Sequence, residues 1–202
     1  MFDALLEAVE QAELAGISLG ELALRTEAEK GLKTRAEVEA ALQRALNVMR
    51  GAVDRGLQGD LRSVSGLVGG DAKMLANAVG PLKGTVFTDA LAAALAVQEV
   101  NAAMGVIVAA PTAGGAGVLP GVMLGLTRHH HFSDTELVRA LATAGLVGAV
   151  VAVRASLSGA EGGCQAETGA AKRISNEKLK PSFGYFVLIM AIFILISEIW
   201  TS

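Results

Sequence analysis

Three times in this chain a Ser or Thr stands three residues ahead of a Glu at the head of an apolar run: Ser18–Glu21, Thr34–Glu37 and Ser133–Glu136. In this pattern the hydroxyl accepts from the backbone N–H three residues on, and the carboxylate returns to the N-cap N–H. The start of an α-helix leaves just such donors without partners. Apolar residues at helical spacing follow, for example Val38, Leu42, Leu46 and Met49 after Thr34. Helices are predicted over 2–15, 19–30, from Thr34 to about Arg55, and from Ser133 to about Val153. The first carries Phe2, Leu5, Leu6, Val9 and Leu14 near one face, a stripe suited to a core or to a partner chain. Thr88–Met104 is a further helix, apolar almost all round and so predicted to be buried, with Gly105 ending it. Inside it Glu99 and Asn101 need hydrogen-bond partners, because a buried unsatisfied polar group costs about 1–3 kcal/mol. The chain is 52% hydrophobic but only 4% aromatic, with 24 glycines, so its helices can approach one another closely. The fold class is all-α.

Between the helices lie glycine-rich segments. DLRSVSGLVGGDAKML gathers Ser63, Ser65, Gly66, Gly69, Gly70, Asp71 and Lys73 ahead of an apolar run. It reads either as a carboxylate or phosphate cradle at a helix start or as a turn with an Asp N-cap. It is not a P-loop, since G-x-x-x-x-G-K-[ST] is absent. In 106–121, Pro111, four glycines and Pro120 argue against a regular helix. That segment is either a ligand-contacting loop offering the Thr112 hydroxyl or a tight crossing of two helices. Ser156–Gly169 holds the sole cysteine, Cys164, among four glycines and between Glu161 and Glu167. Cys164 is a candidate ligand of a metal or cluster, or else a small buried hydrophobe. His129, His130 and His131 read as exposed loop residues, because adjacent histidines cannot converge on one metal from a helix or strand.

A net charge of −3 argues against a nucleic-acid partner. One cysteine excludes an internal disulfide framework and suits a reducing, cytoplasmic setting. The acidic, amphipathic start is neither a signal nor a transit peptide. From Ser182 to Ser197 there are sixteen uncharged residues, with Lys178 and Lys180 before them and Tyr185 and Trp200 towards the ends. This atypical hydrophobic tail reads as out-of-frame or truncated sequence, as a membrane anchor over 182–200, or as a buried terminal helix.

Together SVSGLVGGDAKML, EVNAAMG, APTAGGAGVLPGV and SLSGAEGGCQAETG resemble the alpha subunit of the bacterial iron–sulfur-dependent L-serine dehydratases, from residue 1 to about 171. The resemblance implies an all-helical catalytic domain with buried glycine-rich loops and a [4Fe–4S] cluster acting as Lewis acid. It implies conversion of L-serine to pyruvate and ammonia, and a beta subunit as partner. It carries Cys164 over as a cluster ligand. Lys73, Thr112 and Asn101 become candidate catalytic residues, and Ser65, Gly66, Asp71, Gly114 and Ser158 candidate substrate-binding ones. The division that follows is an N-terminal helical region (1–57), a glycine-rich catalytic core (58–171) and the tail (172–202). The family's further cluster cysteines have no counterpart here, so the chain is expected to be incomplete, to assemble no cluster alone and to be inactive alone. A non-catalytic helical module, partner-binding or membrane-tethered, is the alternative.

Overall fold

The caps form where the sequence places them, with one substitution of partner. The computed structural model describes residues 2, 4–110 and 112–154. At Thr34 and Ser133 the capping box is reciprocal: each backbone N–H donates to the Glu carboxylate at 2.7 Å, and the Glu N–H donates back to the hydroxyl at 3.3 Å. At Ser18 only half forms, with Glu21 N–H donating to the hydroxyl at 3.2 Å. The Glu21 carboxylate turns away to accept from Arg25 at 2.8 Å and from Arg35. Two guanidiniums outcompete one backbone N–H for it.

The helices are α1 (Leu5–Leu14), α2 (Leu19–Gly31), α3 (Arg35–Leu57), α4 (Asp71–Ala76), α5 (Val86–Ala102), α6 (Val118–Leu126) and α7 (Asp134–Arg154). No strand occurs among the described residues, so the fold is all-α. α3, about 35 Å long at 1.5 Å per residue, enters each of three core clusters. Its first turns bring Val38 to Ala23 and Leu24 of α2 and to Ala142 and Leu146 of α7. Its middle brings Leu46 and Met49 to Met123 of α6 and to Leu137 and Leu141 of α7. Its end brings Ala52 and Val53 to Ala93, Val97 and Val100 of α5. Arg50 locks α3 to the start of α7 by a forked pair of hydrogen bonds to Asp134, at 2.6 and 3.1 Å.

Small residues set the crossings. A Cβ on Gly117 would stand 2.4 Å from the Ala94 carbonyl oxygen, and one on Gly125 would stand 2.5 Å from the Ala90 Cα. With Gly121 between them, these glycines form one face of α6 laid against α5. The segment 106–121 is therefore loop and helix crossing in succession. Pro120 does not exclude the helix, contrary to expectation. It occupies the first turn of α6, where its missing N–H has no partner to lose.

Two further departures have local causes. α1 buries Ala8 and Ala12, so Leu6 and Leu14 of the predicted stripe lie exposed, and Phe2 joins the core from outside the helix. α5 starts at Val86 because the Thr85 hydroxyl accepts from Thr88 N–H, and it is not buried all round: Phe87 and Leu91 stay partly exposed. His129 lies exposed in the turn after α6, as expected. Its Nε2 lies 2.8 Å from Asp89 of α5.

Among the described residues α7 alone is long and apolar enough to cross a membrane. Its Leu137, Leu141, Leu146 and Val150 are buried in the core clusters. The sequence-derived tail, 172–202, with its candidate membrane segment, lies outside the described residues.

Hydrogen bonds from Arg25 and Arg35 hold the Glu21 carboxyl below its ordinary value of 4.5, and one from Arg50 holds Asp134 below its ordinary 3.8. A lowered folded-state value stabilises the fold fully above the unfolded-state value, and that contribution is lost as pH falls through the lowered one. Urea midpoints are therefore expected to be flat above about pH 5 and to drop below about pH 4. Glu21→Gln should flatten part of that acid limb. An unchanged limb would show that the ion pairs contribute nothing.

Candidate functional site

The Gly59–Gly70 loop closes on itself before it meets anything else. Ser63 N–H donates to the Val68 carbonyl at 2.8 Å, and Val68 N–H returns to the Ser63 hydroxyl at 3.1 Å. The Ser63 and Ser65 hydroxyls share a hydrogen bond of 3.1 Å. Gly66 sits at the tip with φ +75° and open space where a Cβ would stand, while Gly69 takes φ +144° against the Leu61 carbonyl. Only glycine holds that second position, since a Cβ would lie 2.1 Å from the Leu61 oxygen.

This loop ends at α4, whose N-cap is Gly70 (φ 91°), so Asp71 is the first helical residue and not the cap. The capping group comes from α5. Glu99, 2% exposed, accepts from Gly70 N–H at 2.9 Å through one carboxylate oxygen and from Ala72 N–H at 2.8 Å through the other. The anion position at this helix start is thus filled by the protein itself, which corrects the cradle reading of the loop. Lys73 faces the other end of the loop: its ammonium donates to the Gln58 carbonyl at 3.0 Å, and its stem lies along Gly59.

The second glycine-rich loop hangs from the same end of α5. Gln98 donates to the Gly114 carbonyl at 2.8 Å, and Asn101 donates to the Ala113 carbonyl at 3.1 Å. The Thr112 hydroxyl accepts from Gly115 N–H at 3.3 Å, holding the turn that leads into α6. Three residues beyond Glu99, the Ala102 carbonyl accepts from Val64 N–H at 3.3 Å. Residues 98–102 therefore carry an anchor of each loop: Glu99 and Ala102 hold the segment with Ser65, Gly66 and Asp71, and Gln98 and Asn101 hold the one with Thr112 and Gly114. Ser158 and Cys164 lie outside the described residues. Among the described residues, no group of three or more His, Cys, Asp and Glu side chains is placed to hold a metal ion.

α5 ends in a tight reversal next to the site. Met104 N–H donates to the Asn101 carbonyl and Gly105 N–H to the Val100 carbonyl, at 3.0 and 2.8 Å. The left-handed position belongs to Met104 (φ 60°), not to Gly105 as the sequence suggests. Gly105 is needed for a different reason: a Cβ there would stand 2.6 Å from the Val100 side chain. Met104 is 81% exposed, so its left-handed backbone is a strain with no compensating burial among the described residues. Met104→Gly should stabilise the fold by about 1 kcal/mol in urea melts. A loss of stability would show that the side chain is engaged.

Glu99 and Gln98 were absent from the sequence-derived site. The available signal was three polar residues, Gln98, Glu99 and Asn101, closing a helix otherwise built from Ala, Val and Leu.

The family described as serine dehydratase alpha chain matches residues 14–175. A probable L-serine dehydratase alpha chain from Bacillus subtilis is 41% identical over 174 residues, 85% of this chain and 58% of the relative. The L-serine dehydratase alpha chain of Peptoniphilus asaccharolyticus is 32% identical over 182 residues, 88% of this chain and 62% of the relative. An L-serine dehydratase from Streptomyces coelicolor is 35% identical over 180 residues, 82% of this chain and 37% of the relative. The chain thus spans about three-fifths of the length of the two alpha chains it matches. No solved structure matches it. With its glycine-rich loops inside the matched stretch, the chain belongs to the serine dehydratase alpha chain family.

Proposed function

We propose that this chain is the alpha part of a cytoplasmic L-serine ammonia-lyase, which deaminates L-serine to pyruvate and ammonia together with a beta chain. The observation that carries the reading is the shared anchorage of the two glycine-rich loops on residues 98–102. Eliminating hydroxide across Cα–Cβ needs a base at Cα, help for the leaving oxygen, and donors that fix the substrate. The proposed serine-binding residues are Ser65 and Gly66 in the loop anchored at Ala102, Asp71 at the start of α4, Gly114 in the loop held by Gln98, and Ser158. Asn101, which donates to the second loop, and Thr112, within that loop, are the catalytic candidates. Lys73 joins them only by leaving the Gln58 carbonyl. Gly70 and Ala72 N–H are committed to Glu99, so in this reading the substrate carboxylate goes to the 65–66 and 112–115 turns.

In the complete enzyme, a [4Fe–4S] cluster would supply Lewis-acid help to the leaving hydroxyl. The donors in this chain do not fit that group by themselves. A cubane takes three or four thiolates, and the sequence holds Cys164 alone. Cys164 would give one thiolate to a set whose other members lie outside this sequence. Anaerobic reconstitution with iron and sulfide is expected to load far fewer than about four irons per chain, with no pyruvate formed from serine. A full complement of iron would overturn the donor count.

L-serine itself tests the substrate reading. Amide resonances of 63–72 and 112–117 should shift on titration with it, and silence at both loops would sink the assignment. The single cysteine favours a second reading, a helical module that keeps the fold and binds a partner without catalysis. Silence at the loops together with tight binding of a dehydratase beta chain would support that one.

A further inference from the structure

We infer that Glu99 is a positioning residue: it holds the Ser63–Ala72 segment in the shape that receives serine, an inference that rests on the function proposed above. Glu99 is a carboxylate on a buried face of α5, 2% exposed, and no cation pairs with it among the described residues. Burying a charge without an ionic partner is costly, and packing alone does not call for it at this position. What the charge obtains is two backbone donors from a segment 27 to 29 residues earlier in the chain.

The chemistry of those donors explains the residue type. Gly70 and Ala72 N–H each meet a different oxygen of one carboxylate, so both atoms must accept. A glutamine offers one accepting oxygen and sets its NH₂ against the other donor. Aspartate is one methylene shorter and does not span both at once. The positive end of α4 adds to the hold, since an anion at a helix start is favoured.

The consequence for the site follows from chain connectivity. The loop is tethered at one end by Val64 N–H on the Ala102 carbonyl and at the other by Glu99, while Gly66 at its tip donates back within the loop to the Ser63 carbonyl at 2.9 Å. Releasing the Glu99 end frees the segment that carries Ser65, Gly66 and Asp71. The second loop keeps its own anchors, Gln98 and Asn101.

The test compares the full 202-residue chain with Glu99→Gln and Glu99→Asp, and with Leu24→Ala as a control. Leu24 lies in the cluster of α1, α2, α3 and α7, away from both loops. Hydrogen exchange of amides 63–72 should rise at least about tenfold in Glu99→Gln, with exchange in α3 and α7 near the parent's, and Glu99→Asp should fall between. L-serine affinity, read from the shifts of amides 112–117, should fall about tenfold in Glu99→Gln and stay unchanged in folded Leu24→Ala. Exchange at 63–72 that rises no more than in α3 overturns the positioning role, whatever serine does. So does an affinity loss equal in Leu24→Ala, which would mark a general stability effect. Faster loop exchange in Glu99→Gln, in a chain whose parent gives no response to serine, supports the clamp and defeats the substrate reading instead.

Discussion

Replacing Gly56 with valine should cost about 3 kcal/mol of folding stability, enough to leave a domain of ordinary stability largely unfolded on mild warming. A Cβ at Gly56 would lie 2.2 Å from the Ala96 carbonyl oxygen and 2.5 Å from the Ala96 Cα. Both neighbours are backbone, so no rotamer change makes room, and α3 and α5 must separate. Gly51, one and a half turns earlier on the same helix, has nothing within 4 Å of its Cβ position. There Gly51→Ala should stabilise by about 0.5–1 kcal/mol through helix propensity. Urea midpoints of the two variants should move in opposite directions. A shared sign would mean that α3 does not cross α5 at Gly56.

Leu46→Ala is expected to cost about 3–4 kcal/mol, towards the upper part of the range for a large-to-small change. Leu46 is fully buried at the middle of α3, facing Met123 of α6 and Leu137 and Leu141 of α7. The neighbours come from two separate helices, each fixed elsewhere, so the space left behind cannot collapse readily. Leu46→Met, which conserves volume, should lose less than about 1.5 kcal/mol. Similar losses in the two variants would indicate that α7 is loosely seated.

What could be read from the chain was local. Thr34–Glu37 and Ser133–Glu136 form their boxes within four residues, so spacing alone predicts them. Where a partner lay far off, the local pattern lost. Glu21 left its box for Arg35, fourteen residues away. Gly70 displaced Asp71 as the cap of α4 because Glu99, from α5, completes that helix start. The sequence told that Glu99 needed a partner, and nothing in it told which. Pro120 was misjudged because its effect depends on position within a helix, and the start of α6 carries no capping side chain to mark it. At the site, the two glycine-rich segments and Asn101 were recognised as pieces, but their common attachment to one turn of α5 is a property of packing.

Because α3 contributes side chains to all three apolar clusters, none of them can dissolve while the others persist. Loss of Val38's neighbours withdraws one end of the same rod that seats Val53. Denaturation of the region up to Val150 should accordingly be all-or-none, with probes near the chain start and near the loops reporting one midpoint. An injury to α3 far from Asn101 would then reach the loops as a change in how many molecules are folded, with the shape of those that remain folded unaltered.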